Sequence, residues 1–150
     1  MKFIVSHELG RLARWLRILG FDAAYFTSAD RTKLTMLSLK EDRIILTRDT
    51  RLSRYAGYRT LRVDSDLFKE QVSQVLKGLN LEIDEDKLFT RCIVCNQELQ
   101  ETDKQEIKSK VPEYVFQTQE SFKICPKCKR IYWQGTHWGN VRKVLKEVYG

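Results

Sequence analysis

Arg43-Ile44-Ile45-Leu46-Thr47-Arg48-Asp49 is the stretch on which the fold turns. An alternating strand has one wet face, whereas a continuous apolar run such as Ile44-Ile45-Leu46 suits a parallel strand covered on both faces. Arg43 to Thr47 is therefore read as a buried strand. Parallel neighbours need crossover connections, usually helices. Upstream, Lys2 to Val5 opens the chain as a short apolar strand. Leu9, Leu12, Ala13, Leu16 and Leu19 then recur at helical spacing. Gly20 follows where a left-handed C-terminal residue is wanted. Ala23 to Phe26 reads as a second strand. Ser28 or Asp30 caps a second helix carrying Leu34, Leu37 and Leu39. Downstream, Thr60 to Val63 reads as a fourth strand. A helix from about Asp66 to Leu79 follows, with Val72, Val75, Leu76 and Leu79 on one face. This β-α-β-α-β order predicts an α/β fold, a small parallel sheet flanked by helices.

The pattern changes near Lys87. Cys92-x-x-Cys95 and Cys125-x-x-Cys128 appear, with 29 residues between Cys95 and Cys125. Zinc wants four soft ligands in a tetrahedron, and each such turn presents two thiolates. All four cysteines of the chain are used, as a closed structural site requires. Two matched pairs with nothing left over argue against redox pairs, and Lys127, Lys129 and Arg130 favour thiolate. His137 is the runner-up ligand, read as an ordinary histidine because the cysteines already saturate zinc. A closing helix is expected from about Asn140 to Tyr149, with Val141, Val144, Leu145 and Val148 on one side. The division expected is residues 1–86 and 88–150, the second a zinc ribbon with that helix.

Lys and Arg total 27 against 20 Asp and Glu, a net charge of +7. Residues 1–88 hold 16 basic and 13 acidic side chains, and residues 89–150 hold 11 and 7, so the shorter part is the more basic. Such an excess favours a polyanionic partner such as nucleic acid, without identifying one. No apolar run approaches the roughly 20 residues that span a bilayer. No signal-peptide stretch opens the chain. A cytoplasmic protein without membrane contact is expected, and in that setting four cysteines read as metal ligands rather than disulfides.

Phosphodiester cleavage by Mg²⁺ or Mn²⁺ needs clustered carboxylates. In a parallel sheet they belong at the carboxyl ends of strands. Asp49 leaves the sheet there after the buried strand. Asp30 opens the helix after the second strand, and Asp64 and Asp66 follow the fourth. The competing reading is that these are caps and turn residues, where Asp is favoured anyway. After the first strand the chain has Ser6, read as a helix cap, with Glu8 in the first turn. Arg11, Arg14 and Arg17 recur every three residues and could meet phosphates, or simply form a solvated face.

Leu9-Gly10-Arg11-Leu12-Ala13-Arg14-Trp15-Leu16-Arg17-Ile18-Leu19-Gly20-Phe21-Asp22 resembles the opening of the Mut-seven C-terminal RNase domain family. Ile45-Leu46-Thr47-Arg48-Asp49, Arg91-Cys92-x-x-Cys95-Asn96 and Cys125-Pro126-Lys127-Cys128 resemble its later blocks, as does Tyr132-Trp133-x-Gly135-Thr136-His137. The resemblance implies a PIN-like nuclease fold joined to a zinc ribbon, and a ribonuclease that uses Mg²⁺ or Mn²⁺ held by aspartates. Carried over by position, the catalytic residues are Asp30, Asp49 and Asp66; Arg11, Arg14 and Arg48 are expected to steer the RNA phosphates. The family pattern has Asp directly after the first strand, where this chain has Ser6. Glu8 or His7 compensates, or the protein is a catalytically impaired RNA-binding module, or the change is engineered.

Overall fold

The computed structural model describes residues 1–52, 59–134 and 137–149, the last with backbone only at 137–139 and 149. Four strands, β1 (Lys2–Val5), β2 (Asp22–Tyr25), β3 (Ile44–Thr47) and β4 (Thr60–Arg62), form one parallel sheet in the order β2-β1-β3-β4. Ile45 pairs with Ile4 on one side and Thr60 on the other, so the predicted buried run lies inside the sheet. The continuous apolar run works as expected. Phe3, Val5 and Leu46 face one layer while Ile4 and Ile45 face the other, because successive side chains alternate.

On the first face lie α1 (Gly10–Ile18), α3 (Phe68–Gly78) and α5 (His137–Tyr149). Leu12 and Leu16 of α1, Val72 and Val75 of α3, and Val141, Val144 and Val148 of α5 share one buried cluster. The closing helix, which begins three residues earlier than its periodicity suggests, therefore packs on the parallel sheet's own helices. The second face is covered by α2 (Arg31–Glu41), whose Leu34 packs on Ile4, Ile45 and Leu52. Leu39 is expected on that apolar side and is instead 59% exposed.

The end of α1 is a Schellman motif. Gly20 N–H donates to Arg17 O at 3.0 Å and Phe21 N–H to Leu16 O at 2.9 Å, with Gly20 at φ +93°. A Cβ on Gly20 would stand 2.4 Å from the Lys87 carbonyl oxygen. The glycine thus also lets the segment leading into the second part pass close by.

That part is a three-stranded antiparallel sheet, β5 (Gln100–Thr102), β6 (Phe122–Ile124) and β7 (Ile131–Trp133), in that order. A short helix α4 (Glu113–Thr118) helps cover its small core of Ile107, Val115 and Phe122. Among the described residues no helix is long and apolar enough to cross a membrane.

Candidate functional site

Both Cys-x-x-Cys turns fold alike. Cys92 N–H donates to Gln97 O, and Cys125 N–H to Arg130 O, each at 2.9 Å. The residue after each second cysteine is left-handed, Asn96 at φ +65° and Lys129 at φ +66°. The N–H groups of Cys95 and Cys128 aim at the sulfurs of Cys92 and Cys125, at 3.4 and 3.5 Å. The four Sγ atoms lie within 4.8 Å of one another. Cys92 and Cys128 Sγ are 3.7 Å apart. Zinc–sulfur bonds of about 2.3 Å in a tetrahedron put sulfurs about 3.8 Å apart, so the cage fits a metal such as zinc.

The thiol electrostatics agree. Burial works against the Cys92 thiolate, but hydrogen bonds from the Tyr132 hydroxyl and the N–H groups of Cys95 and Val94 bring its pKa down to about 7. Loss of solvation, Cys128 and the charges of the other cysteines push Cys95 up to about 12. Four thiolates repel one another, and a cation at their centre removes that conflict. The runner-up ligand cannot be placed, since Gly135, Thr136 and the His137 side chain lie outside the described residues.

The first knuckle is tied to the parallel sheet. Arg17, 7% exposed, donates from Nε to Ala23 O and from Nη1 to Ile93 O, both at 2.8 Å. Its Nη1 also reaches Val94 O at 3.2 Å. Asn96 Oδ1 accepts the Ala23 N–H at 3.0 Å, and its Nδ2 donates to Asp22 at 2.7 Å. Asp22 also binds Arg43 at 2.7 Å. The ribbon thereby covers the free edge of β2. Arg17 is thus buried between the two parts and does not share the exposure of Arg11 and Arg14. It follows Ala13 by four residues, on the helix face that Ala13 buries.

At the carboxyl edge of the sheet, Ser6, Glu8, Asp30, Arg31, Thr47 and Asp49 line a small cleft of about 30 Å³. Three carboxylates, Glu8, Asp30 and Asp49, therefore line one cleft beyond the ends of β1, β2 and β3. Ser6 is buried, and its hydroxyl donates to Glu8 Oε1 at 2.6 Å rather than capping the following turn. The same oxygen accepts the Thr47 hydroxyl at 3.1 Å and the Arg48 N–H at 3.0 Å. Burial pushes the Glu8 carboxyl up, but these bonds outweigh it and hold its pKa below the ordinary value. Thus Glu8, two residues after the serine, brings a charged carboxylate to the end of β1.

Asp49 accepts from Arg31 Nε at 2.5 Å and from the N–H groups of Arg51 and Leu52. The Arg31 bond, joined by those N–H groups, lowers its pKa. Asp30 caps α2, its Oδ1 accepting the Lys33 N–H at 3.1 Å. Asp66 does not line this cleft. Its side chain is 83% exposed and pairs with Arg48 Nη1 at 2.5 Å. Asp64 is engaged by Gln74. Among the described residues no three carboxylates come as close together as the four cysteines do. Arg11 lies over the Phe68 ring, 3.8 Å from its centre, and Arg14 is exposed.

A family model described as Mut7-C RNAse domain matches residues 1–145, nearly the whole chain. No curated protein and no solved structure matches it.

Proposed function

The chain belongs to the Mut7-C RNAse domain family, and from that premise we propose that it hydrolyses RNA phosphodiester bonds with a divalent cation at the carboxyl edge of its parallel sheet. The observation that carries this reading is Glu8. It stands with Asp30 and Asp49 on one cleft, at the strand end where Ser6 leaves no charge. Three hard carboxylate oxygens suit Mg²⁺ or Mn²⁺, and Glu8, Asp30 and Asp49 would hold the ion. Bound there, the ion would activate water and offset charge on the scissile phosphate.

The remaining roles belong to the protein. Ser6, Thr47 and the Arg48 N–H fix one oxygen of Glu8 and hold its pKa below the ordinary value. The N–H groups of Arg51 and Leu52 fix one oxygen of Asp49. Arg31 lines the cleft where phosphate oxygens would arrive, and Arg48, paired with Asp66, would meet them beyond it. Arg11 and Arg14 would extend that contact along α1. Zinc on the four cysteines would be structural, and four thiolates favour a reducing compartment such as the cytoplasm.

One contact favours a second reading, a catalytically silent RNA-binding module. The Arg31–Asp49 ion pair already occupies an oxygen that a metal would need. Cleavage of an oligoribonucleotide with and without Mn²⁺ separates the two. The ribonuclease reading expects Mn²⁺-dependent cleavage. It also expects Glu8→Gln and Asp49→Asn to lose more than the roughly 10–100-fold typical of outer-shell partners. RNA binding without cleavage at any Mn²⁺ concentration would leave the binding module in its place.

A further inference from the structure

The proposed cleavage edge leaves a wider surface of the molecule without a role. Around the second knuckle a cleft of about 470 Å³ is lined by Lys110, Lys129 and Arg130, together with Ile93, Tyr132 and Trp133. A second cleft, about 300 Å³, shares Ile93, Tyr132 and Trp133 and adds Arg14 and Trp15 of α1. The two clefts therefore adjoin across β7. Among the described residues none of Arg14, Lys110, Lys129 and Arg130 takes part in an ion pair. All four line these clefts beside partly exposed aromatic side chains.

Cations interleaved with aromatic rings suit one ligand chemistry well. A single nucleic-acid strand offers phosphates to the cations and unpaired bases to the rings. A duplex keeps its bases stacked inside and cannot fill such clefts. Tyr132 is held in place, its hydroxyl 3.0 Å from Cys92 Sγ and accepting the Ile93 N–H at 3.3 Å. Trp133 is braced by Phe122, ring centres 6.3 Å apart. Rigid rings of this kind lose little entropy on binding.

The position of the clefts matches. α1 begins just beyond the carboxyl end of β1, and Arg14 lies four residues into it, about 6 Å along the axis. One turn later Arg17 grips the Ile93 and Val94 carbonyls. A strand leaving the acidic edge past Arg11 and Arg14 arrives at the ribbon's clefts.

We infer that these adjoining clefts form a second RNA-contact site, which takes unpaired nucleotides of a single strand flanking the scissile bond. The inference rests on the RNA reading above and adds to it the substrate class, single-stranded rather than duplex RNA. The test compares wild type with the combined variant Lys110→Gln, Lys129→Asn, Arg130→Gln. Asparagine suits the left-handed backbone at 129. Binding of a fluorescent oligoribonucleotide is followed across salt, with zinc-loaded full-length protein and without Mg²⁺ or Mn²⁺. Failure of the nuclease reading then shows only in the cleavage assay, and failure of this one only in binding.

Three lost phosphate contacts at about 0.7 each should lower the salt slope by about 2. Affinity at low salt should fall on the order of tenfold or more. The single strand should bind tighter than a duplex of the same length. Should the triple variant not fold, Lys110→Glu, outside both knuckles, is read the same way. Unchanged affinity and slope, or equal binding of duplex and single strand, would overturn the inference.

Discussion

Replacing Arg17 tests how the two parts of the chain hold together. The guanidinium is buried and bonds Ala23 O, Ile93 O and Val94 O, joining α1, the edge strand β2 and the first knuckle. Arg17→Met keeps the stem's bulk and removes the donors. Hydrogen bonds to a charged group contribute roughly 1.5–3 kcal/mol each, and the stranded carbonyls add a desolvation cost. Counting the shared Nη1 contact once, the loss should be about 3–6 kcal/mol. Total stabilities run about 5–15 kcal/mol, so this is a large fraction. At about 2–4 °C per kcal/mol, the thermal midpoint of zinc-loaded protein should drop by about 10 °C. Release of metal to a chromophoric chelator should also quicken, because the knuckle loses its anchor. Arg14→Met, at an exposed neighbour, should stay within about 0.5 kcal/mol of wild type. If Arg17→Met matches that control in both midpoint and metal release, the ribbon is not held by this residue.

Other expectations follow from single sites. Purified protein should carry about one zinc per chain, and Cys92→Ser should lose it and unfold the ribbon first, since structural zinc contributes on the order of 10 kcal/mol in small peptides. Metal-free protein with four rapidly reactive thiols in its folded state would contradict that. Ser6→Asp would set a second carboxylate beside Glu8, whose Oε1 is now 2.6 Å from the Ser6 hydroxyl. Two like charges about 4 Å apart cost about 4 kcal/mol at an effective dielectric of 20, so the metal-free variant should melt earlier. Added Mn²⁺ should restore the midpoint more than it raises that of wild type, and raise cleavage; a variant indifferent to Mn²⁺ argues against an acidic metal site. Gly20→Ala should destabilise by more than about 2 kcal/mol in denaturant titration, because φ is +93° and the new Cβ meets the Lys87 backbone. A silent substitution there would mean the chain passes Gly20 differently.

The sheet was legible because its strongest signal is local. Ile44-Ile45-Leu46 needs no partner to read as a doubly covered strand. The cysteine cage was legible for the same reason, each turn being fixed by four residues. β5 and α4 left little trace, since Gln100-Glu101-Thr102 lies mostly exposed and shows no apolar alternation. The closing helix was readable from Val141, Val144 and Val148, but its partner was not, because helical spacing says nothing about which surface is covered. At the acidic edge Asp30 and Asp49 could be placed from strand ends. The reach of Glu8 could not be, because it depends on Thr47 and Arg48, some 40 residues away. Arg17 was hidden inside a regular arginine row. The signal that separates it is its place four residues after the buried Ala13. Asn96 had a faint signal, a residue tolerant of left-handed backbone directly after Cys95.

The central claim, a divalent cation held by Glu8, Asp30 and Asp49, meets its most direct test in a zinc-loaded crystal soaked in Mn²⁺. The account predicts an anomalous manganese peak at the carboxyl ends of β1, β2 and β3, within bonding distance of all three carboxylates, with Asp49 released from Arg31. It predicts no such peak in Glu8→Gln. An edge without manganese and with the Arg31–Asp49 pair intact would contradict it, as would a peak seated on Asp64 and Asp66.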